Sequence, residues 1–164
     1  MGYLIILRGP KGSGKSSISE CLIERLGSDT YRLDIDTTNE QEHLFEQHLR
    51  EALSKQYVIG EIYSGKLHTS EPERWIMKFK DKDYTMLSVI LHTSLEECTK
   101  RVRIRDQDKA DSDVQIESFF NNFYQRLQTI FAIKANIDET CINTERYGEQ
   151  ETTEKILRHL GLMK

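Results

Sequence analysis

Gly9-Pro10-Lys11-Gly12-Ser13-Gly14-Lys15-Ser16 fits the spacing G-x-x-x-x-G-K-S, with an apolar run ahead of it and a helical pattern behind. Glycines at 9, 12 and 14 open backbone dihedrals closed to other residues, so successive N–H groups can point into one concavity around a phosphate. Lys15 then supplies a point charge for β- and γ-phosphate oxygens, and the Ser16 hydroxyl is placed to ligate Mg²⁺. A helix starting here adds the partial positive charge of its N-terminus. The flanks agree with this reading. Tyr3 to Leu7 is a short continuous apolar run, as in a strand buried on both faces. Ile18, Cys21, Leu22 and Leu26 recur at helical spacing until Gly27 supplies a stop. A plain turn between strand and helix would need neither Lys15 nor Ser16. The expected ligand is a nucleotide triphosphate, cradled by Gly9, Lys11, Gly12, Ser13, Gly14, Lys15, Ser16 and Ser17.

The chain of 164 residues, 37% hydrophobic and 30% charged, has the size and composition of one soluble globular domain, 1–164, that buries its core without staples. Its net charge is −4, so the composition as a whole advertises no polynucleotide partner, although a local basic groove can sit on an acidic protein. The first apolar run is too short for a secretory leader, and no segment approaches membrane-spanning length. Cys21, Cys98 and Cys141 are far apart with no C-x-x-C pair, and read as reduced core thiols. A cytoplasmic location is expected.

Taken in order, Thr30 to Asp34 reads as a second strand ending in Asp34-Ile35-Asp36. Ligands of open α/β sheets bind outside the carboxyl ends of the strands, so these carboxylates are candidates for the metal and for the proton of an acceptor hydroxyl. Glu40 to Lys55 is an amphipathic helix with Phe45, Leu49, Ala52 and Leu53 on one face, and with His43 and His48 expected on its solvated surface. Tyr57 to Ile62 is a third strand. Its Glu61 is a further candidate for the metal, and Gly65, Lys66 and His68 follow as a candidate acceptor loop. A short helix from Glu71 to Lys80 and a strand from Tyr84 to Leu91 come next. Ser94 and Glu97 then form an expected capping box. The helix it opens carries Arg101 and Arg105 four residues apart on one face, with Arg103 pointing away. With the polar run that follows, residues 104–114 read as a short lid whose arginines offset phosphate charge. Val114 to Ala132 is a long amphipathic helix, Thr140 to Asn143 a fifth strand, and Glu149 to Leu160 a closing helix ended by Gly161.

Strands alternate with helices throughout, and each crossover is long enough for a right-handed parallel connection. With the phosphate loop after the first strand, the chain resembles the small P-loop kinases of the P-loop NTPase superfamily: the nucleoside monophosphate, shikimate, gluconate and adenylylsulfate kinases, and the kinase domains of polynucleotide kinases. Leu7 through Ser16 matches their phosphate loop, Asp34-Ile35-Asp36 resembles the D-x-D of shikimate kinases, and Arg101 to Arg105 is similar to the R-x-x-x-R at the lid of gluconate-type kinases. Asn143-Thr144 falls where the adenine loop lies in that group.

The resemblance implies a three-layer fold with a five-stranded parallel sheet flanked by helices, ATP and Mg²⁺ as cofactors, and γ-phosphate transfer to a small-molecule hydroxyl or phosphate acceptor. Lys15, Asp34, Asp36, Arg101 and Arg105 are then the candidate catalytic residues, Ser16, Asp34 and Glu61 the candidate metal ligands, and Thr144 a further nucleotide contact. The alternatives are a polynucleotide 5′-hydroxyl kinase and a nucleotide-binding module without turnover. N-K-x-D and D-x-x-G are both absent, which excludes a GTPase switch. No triple-glycine segment follows the third strand and no D-R-[SH] is present, so no acceptor is singled out.

Overall fold

The computed structural model describes residues 1–35, 42–63, 72–107, 112–127 and 137–164. Its strands are β1 (Gly2–Gly9), β2 (Thr30–Asp34), β3 (Tyr57–Tyr63), β4 (Tyr84–His92) and β5 (Asp138–Asn143). Between and after them come α1 (Lys15–Leu26), α2 (Glu42–Leu53), α3 (Pro72–Lys80), α4 (Leu95–Asp106), α5 (Asp113–Leu127) and α6 (Glu149–His159). All pairings are parallel, in the order β2-β3-β1-β4-β5. Asp36, Gly65, Lys66, His68 and the middle of the expected lid lie outside the described residues.

The central position of β1 explains its unbroken apolar run. Alternation sends Leu4 and Ile6 to one face of the sheet and Ile5 and Leu7 to the other, and all four are fully buried. On the first face Phe45, Leu49 and Ala52 of α2 and Trp75, Ile76 and Phe79 of α3 close the core. On the second, Ile18 and Leu22 of α1 meet Ile156 and Leu157 of α6. Cys98 and Val102 of α4 and Ile116 of α5 make a smaller third cluster. This is the three-layer sandwich expected of strands buried on both faces. Because β3 and β4 lie on opposite sides of β1, the turn after β1 opens at the switch point of the sheet, where such folds bind ligands.

Three local expectations are revised. The capping box at Ser94 is only half formed. The Ser94 hydroxyl accepts from the Glu97 N–H at 3.2 Å, but the Ser94 N–H donates to Glu145 Oε1 at 3.0 Å, because the Glu97 carboxylate is drawn to Arg101 instead. His48 is not simply solvated, since its Nδ1 meets the Tyr31 hydroxyl. Of the three thiols only Cys21 and Cys98 are buried, and Cys141 is exposed on the edge strand β5. One charged side chain joins the sheet interior: Arg8 reaches over β4 to Glu139 at 3.2 Å.

The first core depends on tilted packing of Phe45 on Trp75, with ring centroids 4.5 Å apart and both side chains fully buried. Removing the Phe45 ring forfeits its transfer free energy and leaves a cavity under α3, so Phe45→Ala is expected to cost about 3–5 kcal/mol. Urea unfolding followed by emission of Trp75, the sole tryptophan, measures this. A midpoint shift worth less than about 1 kcal/mol would contradict the packing described.

Candidate nucleotide-binding site

The loop from Gly9 to Ser16 adopts the left-handed turns its glycines permit. Gly12 and Gly14 have φ of 86° and 97°, in the region that L side chains rarely enter. At Gly12 a second constraint acts, because a Cβ there would lie 2.7 Å from the Cys98 carbonyl oxygen. The α4 backbone therefore packs directly on the loop.

A cavity of about 900 Å³ opens in front of this loop, in the size range of small-molecule sites. One wall is the loop and the first turn of α1, Gly12 through Ile18. The other is the segment after β5, with Thr144, Tyr147, Gly148 and the start of α6. Arg101, Ile104 and Arg105 line it from α4. Of the residues expected to hold nucleotide, Gly12, Ser13, Gly14, Lys15, Ser16, Ser17 and Thr144 thus share one cavity. Gly9 stands behind it, held close to Ser13 and to the Leu91 carbonyl. Lys11 points toward the end of α4.

Lys15 is 4% exposed, and its Nζ donates to the carbonyls of Gly9 at 2.7 Å and Pro10 at 3.0 Å. The ammonium is thereby stored inside the loop, next to where phosphate oxygens would sit. Ser16 Oγ donates to Glu61 Oε2 at 3.1 Å, while Arg32 Nε holds Glu61 Oε1 at 2.6 Å. Register explains this meeting. Glu61 faces Leu7 on one side and Asp34 on the other, and Arg32 lies two residues before Asp34 on the same face. The extra methylene of Glu relative to Asp is taken up by the arginine clamp. A hydroxyl and a carboxylate side by side are hard oxygen donors that fit Mg²⁺. Among the described residues no cluster of three His, Cys, Asp or Glu could hold a metal by itself, so phosphate oxygens and water would complete the shell of a bound Mg²⁺.

Two further residues were not anticipated. Asp106 accepts from Arg105 Nε at 2.5 Å and pairs with Lys11 Nζ at 3.2 Å. These contacts, with Arg105 first, hold the Asp106 carboxyl well below the usual range, so it stays ionised beside its two cations. Glu97 accepts from Arg101 Nε at 2.8 Å. Asp106 belongs to no motif, and Glu97, expected in a capping box, turns instead to the arginine one helical turn on. Burial pushes the Cys98 thiol up to about 12 despite Lys15 and Arg101 nearby, which removes it as a nucleophile.

Comparison with known proteins follows this geometry. A family model described as an AAA domain matches residues 4–130. The chain belongs to that family. No protein of curated function matches the sequence. Among solved structures, YorR from Bacillus subtilis in complex with phosphorylated GDP is similar, with TM-score 0.68, 19% identity, and 97% of this chain and 96% of that one covered. Deoxyadenosine kinase from M. mycoides with bound dATP gives TM-score 0.65 at 12% identity, covering 96% and 98%. Shikimate kinase from Acinetobacter baumannii in complex with shikimate gives 0.58 at 18%, covering 98% and 93%. The fold is thus that of a P-loop kinase of the nucleoside monophosphate and shikimate kinase-like group. Among the described residues no helix of this AAA-domain protein is long and apolar enough to cross a membrane.

Gly12→Ala is expected to abolish the binding geometry, because both the positive φ and the Cys98 carbonyl forbid a side chain. Thermal unfolding with and without Mg·ATP should show loss of the nucleotide-induced stabilisation, which for wild type is about 2.7 kcal/mol at a hundredfold excess over Kd. A stabilisation equal to wild type would contradict the loop conformation.

Proposed function

We propose that this AAA-domain protein is an ATP-dependent phosphotransferase acting on a small-molecule hydroxyl or phosphate. The observation that carries the proposal is the convergence of Lys15, Ser16 and Arg105 on one cavity whose far wall is the loop after β5, with Glu61 of β3 hydrogen-bonded to Ser16. A site for binding alone needs the loop and its lysine. The carboxylate beside Ser16 and the arginine of α4 add what phosphoryl transfer needs, namely charge placed around the moving group.

In this reading the amides of the loop and the N-terminal dipole of α1 hold the β-phosphate. Lys15 exchanges its two carbonyl acceptors for charged phosphate oxygens, which make stronger partners. Ser16 and Glu61 would hold Mg²⁺, which supplies positive charge to the β- and γ-phosphate oxygens. Arg105 and Lys11 leave Asp106 for the transferring group and offset the charge that spreads over it. Asp34, beside Glu61 in register, and Asp36 two residues on are the proposed pair for the metal's surroundings and the acceptor proton. Thr144 and the loop behind it are proposed to receive the base.

The acceptor is proposed to be a small metabolite, nucleoside or nucleotide, in keeping with the net charge of −4. Transfer of label from [γ-³²P]ATP with Mg²⁺ to sugars, nucleosides, nucleotides and 5′-hydroxyl oligonucleotides tests this, with Lys15→Ala as control. Labelling of one small-molecule class, lost by at least about a thousandfold in Lys15→Ala, is expected. Labelling of oligonucleotides alone would replace the acceptor class. No labelling with ATP bound would contradict transfer.

Glu61→Gln separates the metal role from the fold. The amide keeps the shape and can still meet Ser16, but it loses the charge that favours a divalent cation. Mn²⁺ binding in the presence of ADP, read by electron paramagnetic resonance, is expected to weaken about tenfold or more. An unchanged Mn²⁺ affinity would remove Glu61 from the metal site.

A further inference from the structure

Arg101 was expected to face phosphate, yet the structure engages every nitrogen of its guanidinium with protein. Nε donates to Glu97 Oε1 at 2.8 Å, and Nη2 donates to the Thr144 carbonyl at 2.9 Å. Nη1 donates to Thr144 Oγ1 at 3.2 Å and, at the longer distance of 3.4 Å, to the Gly12 carbonyl. Thr144 is 7% exposed, and its hydroxyl donates in turn to the Ser13 carbonyl at 3.0 Å. Its N–H is held by the His92 carbonyl at 2.9 Å. A continuous set of hydrogen bonds therefore runs from α4 through one arginine to both walls of the cavity, the phosphate loop at Gly12 and Ser13 and the base-side loop at Thr144.

We infer that Arg101 is a positioning residue that braces the base-side loop against the phosphate loop, fixing the separation of the two walls so that a ligand bearing both a base and phosphates fits without reordering them. The inference rests on the nucleotide-site reading above and assigns Arg101 a role different from that of Arg105. The chemistry suits arginine alone. A planar fork can bond a carbonyl and a hydroxyl of the same residue while its third nitrogen is held from behind, and lysine has no such fork. The close approach of α4 to Gly12 supports the same arrangement, since Arg101 stands one helical turn beyond Cys98, whose carbonyl touches the loop. A brace of this kind raises affinity by cutting the ordering cost of binding, and only for a ligand that spans both walls.

The inference separates two ligands that share their phosphates. Mg·ATP spans the cavity, whereas Mg·tripolyphosphate uses the phosphate loop alone. Calorimetric titration of both into wild type, Arg101→Lys, Thr144→Val and the double variant tests it. Arg101→Lys keeps the positive charge and loses the fork. ATP is expected to bind about tenfold more weakly to Arg101→Lys, a coupling of ordinary size between two parts of a site. Tripolyphosphate is expected to stay within about twofold of wild type, and the double variant to bind ATP no more weakly than Arg101→Lys within the same margin.

Unchanged ATP affinity in Arg101→Lys, an equal loss for both ligands, or fully additive losses in the double variant would each overturn the brace. An equal loss would make Arg101 a phosphate ligand. Should Arg101→Lys lose its cooperative thermal transition, Thr144→Val carries the comparison with the same ATP-selective loss expected. Failure of wild type to bind either ligand would instead overturn the nucleotide-site reading beneath it.

Discussion

Everything at the site depends on a backbone held where only glycine can go. Gly12 and Gly14 both hold positive φ, and the Cys98 carbonyl closes off the space a side chain at Gly12 would need. That contact ties the loop to α4, and α4 in turn is fixed by Cys98 and Val102 packing on Ile116 of α5. The shape of the loop is therefore set by packing, and a fixed backbone is the condition under which its dipoles stabilise charge most effectively.

A second theme is storage of charge. Lys15 rests on its own loop's carbonyls, Lys11 and Arg105 share Asp106, and Ser16 rests on Glu61. In the proposed function each of these partners would give way to a phosphate oxygen or a metal ion. Buried or half-buried charges left without partners would be costly, and these contacts satisfy them. Arg101 differs from the others, because beyond Glu97 its guanidinium reaches both walls.

Much of the fold was legible in the sequence, because its signals are periodic. The unbroken run of β1, the spacing of Ile18, Cys21 and Leu22, and the face carrying Phe45, Leu49 and Ala52 each report burial directly. The phosphate loop was legible because its chemistry dictates residue types at fixed spacing. Contacts between distant strands were not. Nothing in the order of residues tells that Arg32 holds Glu61, since this needs the register of β2 against β3. The same holds for Glu145, which takes the Ser94 N–H from across β4 and β5 and leaves the capping box half made. Asp106 escaped notice because it reads as the first residue of a polar run, and only the fold brings Lys11 to it.

The central claim is that the phosphate loop and the segment after β5 form one nucleotide site. Amide hydrogen exchange with and without a Mg²⁺-bound, non-hydrolysable ATP analogue tests it most directly. Slower exchange is predicted in two stretches together, 10–18 and 144–150, with the rest of the sheet unchanged. Protection confined to the first stretch, or lying elsewhere in the chain while binding is established independently, would contradict a site built from both walls.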